Sequence, residues 1–348
     1  MLSVKRITVL PLMILVFSAC NNHRNSPDVS NIKLQVSIHR FDKDFFSIDT
    51  NHLSTSLEEL YKKEPSFLQL YFEYLSPVNF IVHTNGKSYN DAVLEYYRNM
   101  KSLYDSVQNH FDDRRLEAIR KDLEKNLAYV KYYNPSFHPP AVYTSVESLN
   151  PENPQEIYGT TLYHDTLIIS LQMFLGYDFP VYDPSQYFDY LRRRFEPPYI
   201  VPNCVRSIAQ NLYADSSQDA SLIEQMIEKG KQWWMMDHFL PDTPDSLKTF
   251  FTQKQLNWCK QNEGNIWGSI LSNTPDLYTV DKERIQNYLG EAPFTQDLPH
   301  EESPGNIGQW VGWQIVRKFS ADHPELSFHE VLQTPAKKIF QEAKYKPK

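Results

Sequence analysis

Ten glycines in 348 residues leave this chain few places to turn sharply, and that scarcity narrows its fold before any motif is read. Sandwiches, barrels and phosphate-cradling loops all use glycine where the backbone takes positive φ or approaches a ligand closely. Helices do not need it, and apolar residues fall at helical spacing over long stretches. Residues 51–63 begin behind Asp49 and Thr50, either of which can cap a helix, and carry Leu53, Leu57, Leu60 and Tyr61. Residues 88–109 place Ala92, Val93, Tyr96, Tyr97, Met100, Leu103, Tyr104 and Val107 on one stripe. Residues 112–130 set Leu116, Ile119, Leu123, Leu127 and Val130 opposite a charged face. All three stripes are expected to face a core. Further helices are predicted over 184–195, 203–213, 219–237, 252–272, 281–289, 307–322 and 335–343.

Three short segments are rich in β-branched and aromatic residues: 140–147, 166–171, and 33–39, which alternates in period two. They predict a small sheet beside the helices. There is no repeat at a period of 20 to 50 residues. The expected layout is α+β and mostly helical, in a single domain over residues 32–348.

Residues 1–19 read as a leader. Lys5 and Arg6 precede the apolar run Ile7 to Phe17, and Ser18 and Ala19 stand before Cys20, the charged, apolar, small-residue order of a cleaved secretory signal. About eleven apolar residues rising about 1.5 Å each fall short of a hydrocarbon core about 30 Å thick, so the run does not anchor the chain. Cys20 directly behind two small residues is where a lipoprotein is acylated and cut. A mature chain held to a membrane by acyl chains on Cys20 is therefore predicted, with residues 20–31 as a polar, flexible tether. Two of the 35 Lys and Arg residues, Lys5 and Arg6, belong to the leader, which leaves 33 against 43 Asp and Glu and a net charge of −10. That balance disfavours a nucleic-acid partner. Cys204 and Cys259 remain, and an oxidising periplasm permits them to pair without requiring it.

Catalysis needs nucleophile, acid, base or metal ligands at spacings that bring them together, and the familiar spacings are missing. GxSxG, CxxC, GxxxxGK, GxGxxG and HExxH do not occur, and no two of the 11 histidines stand four apart. No cofactor and no metal site is expected. Asp178 and Asp183 flank Tyr177 and Tyr182 in a proline-bearing loop, expected to be rigid and aromatic-packed, or else a recognition surface. Arg192, Arg193 and Arg194 are expected on a solvated helix face. Trp233 and Trp234, followed by Met235 and Met236, put more apolar bulk on one helix than a single face can bury. Part of it is expected to dock a partner. Gly305, Gly308 and Gly312 cluster around Trp310 and Trp313, which predicts close helix packing or the floor of a cleft.

Several segments taken in order are similar to the gliding-motility lipoprotein family GldB of Bacteroidetes: RFDKDFF (40–46), LQMFLG (171–176) with Tyr177, Pro180 and Tyr182, LIEQMIEKGK (222–231), and QLNWC (255–259) with Asn262, Glu263 and Trp267. APFT (292–295), SPGNIG (303–308), WVGWQIV (310–316) and KYKP (344–347) complete them. The resemblance implies an envelope lipoprotein that supports gliding and its linked secretion apparatus through contacts with other envelope proteins. In such lipoproteins an acidic cluster beside the lipidated cysteine favours surface export. None follows Cys20, so a periplasm-facing body is expected. The layout also resembles, more distantly, zinc peptidases with an HExxH helix followed by a helix ending in Glu-Gly. Here NCVRSIAQ (203–210) holds neither His nor Glu, and Lys229 stands before Gly230. That resemblance implies a zincin-like fold that has lost its metal and its catalysis. Two alternatives stand beside this expectation. One is a metal-dependent hydrolase with atypical ligands drawn from Glu228, Asp237 and His238; the other is a glycan- or peptide-binding lipoprotein whose aromatic side chains stack on ligand.

Overall fold

A computed structural model of the chain describes residues 26–149, 158–274, 276–299 and 301–347. Cys20 and the leader lie outside the described residues. The N-terminal half runs β1 (Ile38–His39), α1 (Phe41–Phe46), α2 (Leu53–Lys63), α3 (Pro65–Leu70), α4 (Val78–Asn85), α5 (Tyr89–His110) and α6 (Asp113–Tyr133). Strands β2 (Ala141–Ser145), β3 (Thr160–Tyr163) and β4 (Thr166–Ser170) follow, then α7 (Asp189–Arg192) and α8 (Ile200–Leu212). The remainder is helical: α9 (Leu222–Phe239), α10 (Asp245–Thr249), α11 (Gln253–Gln261), α12 (Glu263–Asn273), α13 (Lys282–Leu289), α14 (Ile307–Asp322), α15 (Phe328–Gln333) and α16 (Ala336–Ala343). The mostly helical α+β layout is as the sequence predicts.

The helices start where short polar side chains can satisfy the first free N–H groups. Ser88 accepts from the Asp91 N–H at 3.2 Å and Asp112 from the Arg115 N–H at 2.7 Å. Ser221 with Glu224, Thr252 with Gln255 and Ser327 with Glu330 form reciprocal caps at α9, α11 and α15. The predicted helix over 252–272 is two helices. The Asn262 carboxamide turns back to the Trp258 carbonyl at 3.0 Å and ends the first of them. The predicted helix over 184–195 shrinks to the four residues of α7, because Asp183 instead accepts from the Ser185 N–H and hydroxyl and holds the chain in a turn.

The sheet order is β1-β2-β4-β3, with β1, β2 and β4 parallel and β3 antiparallel to β4. Of the strand expected over 33–39 only Ile38 and His39 pair. Side chains of α6 take the earlier backbone: Glu124 accepts from the Val36 N–H at 3.1 Å, and Arg120 donates to the Val36 carbonyl at 3.2 Å. Strand β3 was not expected; it is tied to β4 through His164 and Asp165, with His164 at φ 50°.

The buried apolar side chains form one connected cluster, and α9 lies at its densest part, packed by α6, α8, α14 and α16. Its closest neighbour is α14. A Cβ on Gly312 would stand 1.7 Å from the Met226 carbonyl oxygen, and one on Gly230 would stand 2.2 Å from the Gly312 carbonyl carbon. The two helices therefore cross backbone against backbone, as the glycine cluster predicts. In a helix interior Gly→Ala ordinarily stabilises by about 0.5–1 kcal/mol. Here the added methyl must force the helices apart, a cost of about 1–3 kcal/mol or more. Gly268 in α12 has nothing within 4 Å of the same position. Gly312→Ala is expected to lower the thermal midpoint by several degrees while Gly268→Ala leaves it level or raises it. Equal midpoints for the two variants, measured by calorimetry, would show that the crossing is not tight.

Candidate functional site

The four tryptophans expected at a cleft or partner surface are core residues. Trp310 and Trp313 are 1 % exposed, and Trp233 and Trp234 are 4 % exposed. Helix α9 buries apolar side chains over most of its circumference and leaves a narrow polar strip, Glu224, Glu228, Lys229 and Gln232, partly exposed, which is the condition of a central helix rather than of a docking face. Trp233 meets the Phe251 and Trp313 rings edge-on, and Trp234 stacks on Phe328. Trp234 also reaches one edge of a cleft of about 280 Å³, lined by Ser26, Pro27, Tyr133, His238 and Arg317 among others.

Asp237, near the end of α9, gathers the charges beneath that cleft. Oδ1 accepts from Lys248 Nζ at 2.9 Å. Oδ2 accepts from Trp313 Nε1 at 2.9 Å and from Arg317 Nε at 2.8 Å. The Arg317 guanidinium lies 3.3 Å from the Trp313 ring centroid, and Lys248 also meets Asp245 at 2.8 Å. One buried carboxylate thus joins α9, α10 and α14. The hydrolase ligands suggested by sequence are not brought together. Glu228 pairs with Lys231 at 2.7 Å, His238 Nδ1 lies 2.8 Å from the Trp234 carbonyl, and Asp237 is committed as described. Glu228 and Asp237 are also about 13 Å apart along one helix. Among the described residues no group of three His, Cys, Asp or Glu stands where it could share a metal ion.

The loop holding Tyr177 and Tyr182 is packed rather than presented. Tyr182 is buried; its hydroxyl donates to the Gln172 carbonyl and accepts from the Leu175 N–H at 3.0 Å, and burial pushes its pKa up. Tyr177 is partly exposed, donates to Asp189 at 3.1 Å, and carries the Arg192 guanidinium 4.4 Å from its ring centroid. The solvated-face expectation for the three arginines fails at Arg194, which is 5 % exposed, pairs with Glu291 at 2.6 Å and lies over the Phe250 ring. Without a full helix over 184–195, the turn that replaces it aims Arg194 inward. Cys204 and Cys259 are separate, fully buried thiols, and burial pushes the pKa of each up. They are not paired.

The surface with the character of a docking site lies elsewhere, between α2, α3 and α5. Leu57, Leu68 and Phe72 floor a groove of about 440 Å³, with Tyr61, Tyr89, Glu58, Lys62 and Asn90 at its rim. Tyr61 is 54 % exposed and Tyr89 is 43 % exposed. Immediately after α3 the chain makes a π-turn over Tyr71–Leu75, a device often found at functional positions. The turn sends Tyr71 and Phe72 inward and leaves Tyr74 on the surface, where its ring lies 5.7 Å from that of Tyr163. Sequence reasoning placed Leu57 and Tyr61 in the core; Leu57 packs against it half-buried, whereas Tyr61 stands outside. The signal against that was the width of the stripe, since Leu53 and Leu60 alone fill the buried side of α2.

A second buried carboxylate, Glu147, sits under the sheet with hydrogen bonds from the Ser145 and Ser170 hydroxyls and no cation beside it among the described residues. Burial holds its pKa above the ordinary carboxylate value.

The described residues form a helix-dominated α+β body in which Ser26 and Pro27 line a cleft beside the central helix and tyrosines rim an apolar groove. The model of the family described as gliding motility protein GldB matches residues 22–347, and this chain belongs to that family. No curated protein and no solved structure matches it. Among the described residues no helix is long and apolar enough to cross a membrane.

Two titration and charge predictions follow from the buried carboxylates. A raised folded-state pKa means that the stability linked to Glu147 is fully present below the ordinary carboxylate range and is lost as pH rises through the raised value. Glu147→Gln should therefore gain on the parent in thermal midpoint between pH 5 and pH 8; parallel profiles would refute the assignment. Asp237→Ala leaves Lys248 and Arg317 with Asp245 alone, at 2.8 and 3.9 Å, and should cost about 3 kcal/mol in denaturant unfolding. A loss near zero would mean that the network is not closed.

Proposed function

We propose that this chain is a lipid-anchored envelope lipoprotein, facing the periplasm, that supports gliding motility and its linked secretion apparatus by holding a partner protein in the α2–α3–α5 groove, without turnover. Family membership supports the motility setting. The observation that carries the contact role is the groove itself, where large apolar side chains stand open to solvent beside a π-turn. Tyrosines at a rim give wide, rigid contact area with a polar end, the composition that dominates binding energy at protein interfaces. Acyl chains on Cys20 supply the anchor, and the partners are other envelope proteins.

The kinship with zinc peptidases belongs to the same proposal. Helix α8, where an HExxH helix would lie, packs against α9 and carries Asn203 and Ser207 in place of ligands. Lys229, where a ligand would precede glycine, pairs with Asp215 at 2.7 Å. On this reading the body is a metallopeptidase layout that has become a scaffold.

The test is made in the bacterium that produces the protein. Cys20→Ala is expected to move the chain out of the membrane fraction. The double variant Tyr61→Glu and Tyr89→Glu is expected to stay in the membrane fraction with an unchanged thermal midpoint, yet to lose a cross-linked neighbour and colony spreading together. Full spreading by that double variant would sink the groove as the working surface.

A further inference from the structure

Two guanidiniums meet on one aromatic ring beside α8, and only one of them has a carboxylate partner among the described residues. Arg194 and Arg206 both lie 4.5 Å from the Phe250 ring centroid, and Glu291 bonds Arg194. Arg206 has no carboxylate partner among the described residues, although it is 7 % exposed. Its Nη2 donates to the Lys248 carbonyl, and its Nε, fully buried, has no hydrogen-bond partner. A buried cation left this way is costly, and native structures seldom keep one without a counter-charge. Burial and the neighbouring Arg194 hold its pKa down, at about 10, so the group is still fully charged at neutral pH.

The missing counter-charge has a place to come from. Arg206 lines a cleft of about 310 Å³ between α8 and the edge strand β3. Ser207, Gln210 and Asn211 enter it from the helix, and Thr160 and Thr161 enter from the strand. Residues 206 and 210, and likewise 207 and 211, are one turn apart, so the helix presents two adjoining polar rows. The Thr160 and Ser207 hydroxyls lie 3.0 Å apart and bridge helix to strand. Among the described residues no acidic side chain lines this cleft, whereas Asp237 lines the cleft by Ser26 and Pro27 and Asp165 lines the one beside His164. Phe250 covers a face of the guanidinium, so a ligand meets its edge, where N–H groups match the oxygens of a carboxylate or phosphate.

We propose that the cleft between α8 and β3 binds a small oxyanion, a carboxylate or a phosphate group, with Arg206 as its counter-ion and the hydroxyls and carboxamides of Ser207, Thr161, Gln210 and Asn211 around it. This site is separate from the α2–α3–α5 groove and does not depend on it. The bound group neutralises the uncompensated charge and fastens β3 to α8.

The test uses the full-length lipoprotein in detergent, at constant ionic strength, with inorganic phosphate and acetate as probes. Saturable binding with one site per chain is expected by calorimetry, together with a rise in thermal midpoint. Preference for phosphate marks a phosphoryl ligand, and preference for acetate marks a carboxylate. Arg206→Gln is expected to weaken binding at least tenfold, and Arg206→Lys to do so less. Should Arg206→Gln fail to fold, Asn211→Asp at the more open end of the cleft places a negative charge against the probe and is expected to abolish saturation. The inference is overturned if neither probe binds, if either of the two charge-altering variants binds as the parent does, or if the midpoint shifts equally in the parent and Arg206→Gln.

Discussion

The crossing of α9 and α14 at Gly230 and Gly312 governs the rest of the molecule. Because neither helix carries a side chain at the contact, their backbones touch, and every residue one turn away is drawn into a narrow space. That space is filled by Trp233 and Trp313, whose rings meet edge to face. It also brings the Trp313 indole N–H to Asp237, and with it Arg317 and Lys248. The same crossing makes α9 central, and α6, α8 and α16 close the faces that α14 leaves. A tryptophan pair too large for one helix face is what a helix covered over most of its circumference requires.

The long helices were legible because their period is long and their caps are chemical. Leu116, Leu123, Leu127 and Val130 repeat over several turns behind Asp112, and all four are buried. The glycine crossing was legible for a similar reason: Gly308 and Gly312 stand out in a chain with so few glycines. What sequence could not show was competition from distant side chains. Nothing in residues 33–39 announces that Glu124 and Arg120 will take the Val36 backbone. Strand β3 was missed because a His-Asp turn lacks the glycine or asparagine that usually marks a two-residue hairpin. The groove and the α8 cleft were missed because both depend on where a stripe stops being covered, which is decided by neighbours far along the chain.

Two buried carboxylates, Asp42 and Asp237, each close a charge network inside the body. Asp42, within the RFDKDFF segment, accepts from Arg40, Gln108 and the Thr144 hydroxyl, and so joins α1 and α5 to the sheet. Asp237 performs the same task for α9, α10 and α14. Such networks are weak sources of stability compared with apolar packing, but each leaves a large penalty for any arrangement that opens it. Phe41 and Phe45 beside the first network, and Trp313 within the second, keep water away from both.

Ser26 and Pro27 rest in the cleft beside Trp234, His238 and Arg317. Cys20 lies six positions earlier, and a fully stretched backbone covers at most about 20 Å over that length. An acylated Cys20 would therefore act as a short leash. A body on such a leash would not tumble freely above the bilayer: the ends of α9 and α14 would stay turned toward the lipid, and whatever approached it would come from the sides or from above.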